Sequence, residues 1–260
     1  MKIGVFDSGL GGLVITKALI KTLPQYDYLY YGDSAHLPYG DKTSGTILNY
    51  TLQAMKYMIA QHCKLIVIAC NTATAITLRY IQQRFIPIYA PDVKVLGVVI
   101  PTVETAIAQN QTHIGVIATN ATVHSKIYTT ELLKLNPKCT VTEIAAPELV
   151  PAIEADDFAR AAEITHRYAP YFGQCQSLIL GCTHYPLIKD YFRRELPNVS
   201  IISQDELMGE KLQDYLRRHS EIETMLSKSA SREFTVSRSD CHAQQVAKIL
   251  FEDIKICQAA

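Results

Sequence analysis

Two cysteines stand where apolar runs stop. In LIVIACNTATA, residues 65–75, Cys70 follows a β-branched stretch and precedes Asn71 and Thr72. In LILGCTHYPL, residues 178–187, Cys182 occupies the same place before Thr183 and His184. A thiolate forms readily beside a helix N-terminus or a charged histidine, and a cysteine can serve as general base or acid. One cysteine at a strand end is usually inert packing. Two at matching places, facing one carbon from opposite sides, would take a proton from one face and return one to the other. That chemistry inverts a stereocentre.

The elements that must hold these residues are legible as short apolar runs at 2–6, 26–33, 64–70, 94–100, 113–119, 140–146, 177–182 and 198–203. Stretches of helical length, such as 43–63 and 156–172, lie between most of them. Val- and Ile-rich runs separated by helices indicate parallel sheets built from βαβ units, so the fold class is α/β. Ligands of such sheets sit beyond the carboxyl ends of the strands. Asp7 and Ser8 fall there, as do Asp33, Ser34, Pro38, Tyr39 and Gly40 after the second run. So do Asn71, Thr72 and Thr74 after the third, then Thr119, Asn120 and Thr122, and finally Cys182, Thr183 and His184. Each Ser, Thr or Asn taken singly reads as a helix cap. Five such loops on one edge read as a site, in which helix-start amides and hydroxyls hold a carboxylate-bearing substrate.

The chain also repeats itself. KIGVFDSGLGG resembles HIGVIATNATV, and LIVIACNTATA resembles LILGCTHYPLI; Ile3 to Ile114 is 111 positions and Cys70 to Cys182 is 112. Two matches at nearly the same offset indicate pseudo-symmetric α/β halves. The expected division is residues 1–95 plus 209–260 for the first domain and 96–208 for the second, with the charged helical tail after about 208 packed back on the first.

Composition narrows the partners. The 260 residues are 48% hydrophobic, and 25 Lys+Arg balance 25 Asp+Glu. A large core is available, and no charge excess recruits nucleic acid or an acidic membrane. MKIGVFDSGLGG turns polar too early for a signal peptide, and no apolar run approaches the ~18 residues of a membrane span. A cytoplasmic protein acting on a small molecule is the expectation. The seven cysteines form no CxxC pair, which excludes a disulfide framework and a zinc-ribbon pattern. His184 near Cys182 lacks a second ligand pair, so no metal is expected. DSGLGG matches neither GxGxxG nor GxxxxGK[ST], and GxSxG is absent, which disfavours nucleotide and serine-esterase readings. Its glycines are read instead as permitting close backbone approach or a sharp turn.

FDSGLGG, YYGDSAHLPYG, ACNTATA and GCTHYPL, in this order and spacing, closely resemble the cofactor-independent glutamate racemases of the aspartate/glutamate racemase family. The resemblance runs from Met1 to about Ile202. It implies two pseudo-symmetric α/β domains with mainly parallel sheets and an active site in the cleft between them. It further implies interconversion of L- and D-glutamate without a cofactor, for peptidoglycan and cell-wall synthesis. Cys70 would deprotonate D-glutamate with help from Asp7. Cys182 would deprotonate L-glutamate with help from His184 and a carboxylate, Glu154 in PELVPAIEADD or, more weakly matched, Glu148. Substrate binding carries over to Asp7, Ser8, Tyr39, Gly40, Asn71, Thr72, Thr183 and His184, and the loop position adds Thr119 and Thr122.

Two segments depart from the family pattern. IISQDELMGEKL, residues 201–212, lacks a DSG-like turn, and REFTVSRSDCHAQQVAKILFED only loosely resembles the closing strand and helix. Three other readings remain: an aspartate racemase or a related family member, a catalytically silent amino-acid-binding protein, and a redox pair. Thiols on opposite faces of a ligand stand too far apart for an unstrained disulfide, which disfavours the last. Oligomeric state stays open, a homodimer included.

Overall fold

A computed structural model of the chain describes residues 1–238, 251 and 256–259. The helix expected within 232–253 falls mostly outside the described residues. In chain order the first half contains β1 (Lys2–Asp7), α1 (Gly12–Thr22), β2 (Tyr28–Gly32), α2 (Ser44–Ala60), β3 (Cys63–Ile68), α3 (Asn71–Tyr80), α4 (Ile86–Tyr89), β4 (Lys94–Gly97) and α5 (Val99–Ala108). The second contains β5 (His113–Ala118), α6 (Asn120–Ser125), α7 (Ile127–Leu135), β6 (Thr140–Ala145), α8 (Leu149–Glu154), α9 (Phe158–Tyr168), β7 (Ser177–Gly181), α10 (Lys189–Glu195) and β8 (Ser200–Ile202). There follow α11 (Gln204–Arg218), α12 (Ser220–Glu223), β9 (Arg232–Val236) and β10 (Ile256–Gln258).

The strands form two sheets, ordered β10-β9-β2-β1-β3-β4 and β6-β5-β7-β8, and every pairing is parallel. Within each half the order is second-first-third-fourth. β5 therefore stands where β1 does, and β7 where β3 does, as the repeated motifs require. In both sheets the order reverses beside the first strand, so the crevice opens between the carboxyl ends of β1 and β3 and again between those of β5 and β7.

The apolar run at 94–100 is only half strand. β4 ends at Gly97, and Val99 and Ile100 already belong to α5. A buried helix start and a buried strand carry the same apolar signature over so few residues. The tail helix begins at Gln204, ahead of residue 208, and α11 lies against α1 with Gly209 facing Thr22 and Ala18. A Cβ on Gly209 would overlap the Thr22 hydroxyl and stand 2.9 Å from Thr22 Cβ, so glycine is what lets these helices approach. The largest apolar core is continuous across the halves: Leu13, Tyr28 and Val67 join Val116, Tyr128, Ile179 and Leu212.

Candidate active site

β1 delivers Asp7 fully buried at its last position. Its Oδ2 accepts the amide of Gly9 (3.2 Å) and that of Gly12 at the start of α1 (3.0 Å). A Cβ on Gly12 would collide with Asp7 Cβ, and one on Gly11 would lie 2.8 Å from His184 Nδ1. No glycine in the described chain has positive φ, so the DSGLGG glycines admit the protein's own side chains and serve no left-handed turn. Burial raises the Asp7 pKa, partly offset by the charge of His184, the two amides and the Thr183 hydroxyl.

Cys70 is the N-cap of α3: its Sγ accepts the Ala73 amide at 3.4 Å. The cysteine thus ends no strand, since β3 stops at Ile68; it begins the following helix. Ser8 Oγ lies 3.3 Å from Cys70 Sγ. Burial, with the nearby Asp7 charge adding, pushes the Cys70 thiol up to about 12, against the pull of Ser8 and the Ala73 amide. The groups at hydrogen-bond distance from this sulfur are the Ser8 hydroxyl and the Ala73 amide, and Asp7 acts on it through its charge.

Cys182 follows β7 directly, buried like Cys70. His184 Nδ1 lies 3.7 Å from its sulfur, and His184 Nε2 meets the carboxylate of Glu154 at the end of α8. Burial lowers the His184 pKa, but the bonds to Cys182 and Glu154 outweigh it and hold the imidazole well above its usual value. Glu148 is placed elsewhere, on Arg167 and the Tyr168 hydroxyl.

The two halves meet at this point. Thr183 donates its hydroxyl to Asp7 Oδ1 at 3.2 Å. Thr72 Oγ1 lies 2.8 Å from Thr119 Oγ1 and 3.2 Å from Thr122 Oγ1, and those two are 3.0 Å apart. Thr119 also caps α6. Capping and cavity lining therefore coincide in Cys70 and Thr119, because a cap residue projects its side chain where the helix-start amides point. Asn120 donates to Asp41 Oδ1 at 3.2 Å across the rim.

One cavity collects Ser8, Tyr39, Gly40, Cys70, Asn71, Thr72, Thr119, Cys182, Thr183 and His184, closed on one side by Pro147, Val150 and Pro151. One thiol comes from each half. Tyr39 turns its hydroxyl to Asp33 (2.7 Å). Thr122 reaches the cavity through the threonine cluster, and Asp7 and Glu154 stand behind it. Among the described residues no lysine or arginine lines it. A bound anion can draw on hydroxyls, on the amides at the start of α3 and on the His184 imidazole. Among the described residues no group of three or more His, Cys, Asp or Glu is placed to hold a metal ion.

Gln204 and Tyr128 were not evident from the sequence. Gln204 is fully buried and pairs with Asn71 by two amide bonds, while the Tyr128 hydroxyl donates to Asn71 Oδ1. The signal available was weak: a glutamine opening a helix in the segment that departs from the racemase pattern.

The profile of the Asp/Glu/Hydantoin racemase family matches residues 12–207. The chain belongs to that family. A glutamate racemase of Lactobacillus acidophilus is 37% identical over 83% of this chain and 81% of its own length. The solved glutamate racemase isoform RacE1 of Bacillus anthracis superimposes with a TM-score of 0.89 at 29% identity, covering 100% of this chain and 97% of its own. The Francisella tularensis glutamate racemase, solved in complex with D-glutamate, gives 0.86 at 33% identity, with 99% and 95% covered. The racemase-family sheets and their order are thus shared along almost the whole chain.

Proposed function

We propose that the chain is a glutamate racemase, an isomerase that interconverts L- and D-glutamate through two cysteines. Supporting this are the family membership, the glutamate racemases it resembles over most of its length, and above all one geometric fact: a thiol from each half lines a single cavity, each with its own polar partner. A silent binding site has no need of either sulfur.

In this reading the substrate Cα lies between the sulfurs. For L-glutamate, Cys182 as thiolate takes the Cα proton, and the C–H electron pair moves into the α-carboxylate system. Cys70 as thiol delivers its proton to the opposite face, leaving a Cys70 thiolate, and D-glutamate runs the same steps backwards. The His184–Glu154 pair holds the charge that a Cys182 thiolate needs, and Ser8 with the α3 amides does so for Cys70. The added negative charge on the intermediate is met by preset hydroxyls of Ser8, Thr72, Thr119 and Thr183 and by helix-start amides. No step in this reading calls on a cofactor.

The same reading places the enzyme in the cytoplasm, supplying D-glutamate for peptidoglycan, with a homodimer allowed; no helix of the described residues is long and apolar enough to cross a membrane. The domain division at 1–95 plus 209–260 against 96–208 is proposed with it in outline: the two sheets support two halves, while β4 runs on to Gly97 and α11 begins at Gln204, so both boundaries fall inside elements.

The test is incubation with each enantiomer of glutamate and of aspartate in D₂O, with Cα exchange followed by NMR and chirality by polarimetry. Glutamate racemises without added cofactor. Cys70→Ser and Cys182→Ser each lower the rate by at least about 100-fold, the scale of a lost general acid–base. Full racemisation by the double variant overturns the two-thiol reading, and faster turnover of aspartate overturns the substrate.

A further inference from the structure

The segment that departs from the family pattern carries a polar device between the two thiols. Gln204, the first residue of α11, is fully buried. Asn71 Nδ2 donates to Gln204 Oε1 at 2.8 Å, and Gln204 Nε2 donates back to Asn71 Oδ1 at 2.7 Å. The Tyr128 hydroxyl donates to the same Asn71 oxygen at 2.6 Å and accepts from Gln204 Nε2 at 3.2 Å. A weaker bond of 3.4 Å runs from Gln204 Nε2 to Thr102 on α5.

The three partners belong to different parts of the chain. Asn71 is the first residue of α3, joined directly to Cys70. Tyr128 is the second residue of α7, and its ring edge lies 3.3 Å from where a Cβ on Gly181 would stand, one position before Cys182. Gln204 stands where the chain leaves β8 of the second half for the helix that packs on α1. The network therefore runs from the neighbour of one thiol to the neighbour of the other. Its amides also fix which way Asn71 points. With the oxygen taken by two donors, the carboxamide keeps one Nδ2 hydrogen that no described residue accepts, so Asn71 offers the cavity a donor and no acceptor.

We infer that Gln204 is a positioning residue that sets the separation of Cys70 and Cys182 across the cavity. The inference rests on the racemase reading. A buried, mutually satisfied network has one low-energy arrangement, and losing its centre leaves its partners unpaired. The cavity hydroxyls of Ser8, Thr72 and Thr183, which the racemase reading gives to the substrate carboxylate, make no bond to Gln204, so substrate binding is largely retained when it is lost.

The experiment compares wild type with Gln204→Met, Tyr128→Phe and the double variant, measuring kcat and KM for both glutamate enantiomers and thermal melting for each protein. Gln204→Met lowers kcat about tenfold, the scale of one lost buried hydrogen bond, with KM held within about twofold. Tyr128→Phe, a milder change that keeps the packing, lowers kcat in the same direction. The double variant is no slower than Gln204→Met, because the two act as one unit. Unchanged kcat in Gln204→Met or in Tyr128→Phe overturns the inference, as does a loss carried by KM or one that disappears when rates are scaled to folded protein. If Gln204→Met does not fold, the Tyr128→Phe result decides alone. A wild-type protein that racemises neither enantiomer overturns the racemase reading itself, which an active wild type with unaffected variants does not.

Discussion

His184 bridges Cys182 and Glu154: Nδ1 stands 3.7 Å from the sulfur while Nε2 is held by the carboxylate. The imidazole pKa is raised despite burial, by these same two partners, so the ring holds its proton to higher pH than a free imidazole does.

Glu154→Gln removes one of the two groups that hold that proton and leaves burial in place. The His184 pKa then falls, and the limb of the kcat/KM profile that reports it moves to lower pH. At pH 8 the rate drops by about 100-fold, as for loss of a tuned general acid–base. Rate profiles from pH 6 to 10 check this, and an unmoved limb would show that Glu154 does not tune the ring. Glu148→Gln, whose carboxylate lies on Arg167 and Tyr168, leaves the profile unchanged.

Asp7 predicts a trade between stability and activity. Its pKa is raised by burial, so the folded chain holds this proton to higher pH than the unfolded chain does. The associated stability is present below the unfolded value of ~3.9 and is lost as pH rises through the folded value. Asp7→Asn keeps an acceptor for Gly9 and Gly12 and carries no charge. It melts above wild type at pH 8, with the difference shrinking as pH falls through the folded value, while racemisation falls. Calorimetry across that range decides, and a difference independent of pH counts against a strained Asp7 carboxylate.

Gly209→Ala tests the packing of α11 on α1. The new methyl meets Thr22 side chain and, at 3.1 Å, the Ala18 carbonyl. Overpacking of this kind costs about 1–3 kcal/mol, or some ~2–4 °C of melting temperature per kcal/mol for a chain this long. Thr22→Ala in the same background recovers part of the loss. Equal melting of Gly209→Ala and wild type would mean that the helices have room to spare.

The parallel sheets, their repeated order and the edge that carries the site were legible because they depend on local pattern. Val- and Ile-rich runs mark buried strands, and polar residues just beyond them mark the carboxyl edge. The offset between Cys70 and Cys182 exposed the doubling. Where the signal was short it failed: Val99 and Ile100 look like strand but begin α5. Pairings across the fold were beyond the pattern altogether. Glu154 and Glu148 are near neighbours in sequence, and only the path of α8 puts the first on His184. Gln204 reaches Asn71 from 133 positions away, and no periodicity signals a buried amide pair.

The shared strand order of the two sheets has a thermodynamic counterpart. Mirror-image amino acids are equal in free energy in water, so a catalyst for their exchange has no downhill side to favour. A molecule built from one plan used twice suits that task, offering comparable arms to either hand. Net flow through such an enzyme is then governed by whichever later reaction withdraws one hand from the mixture.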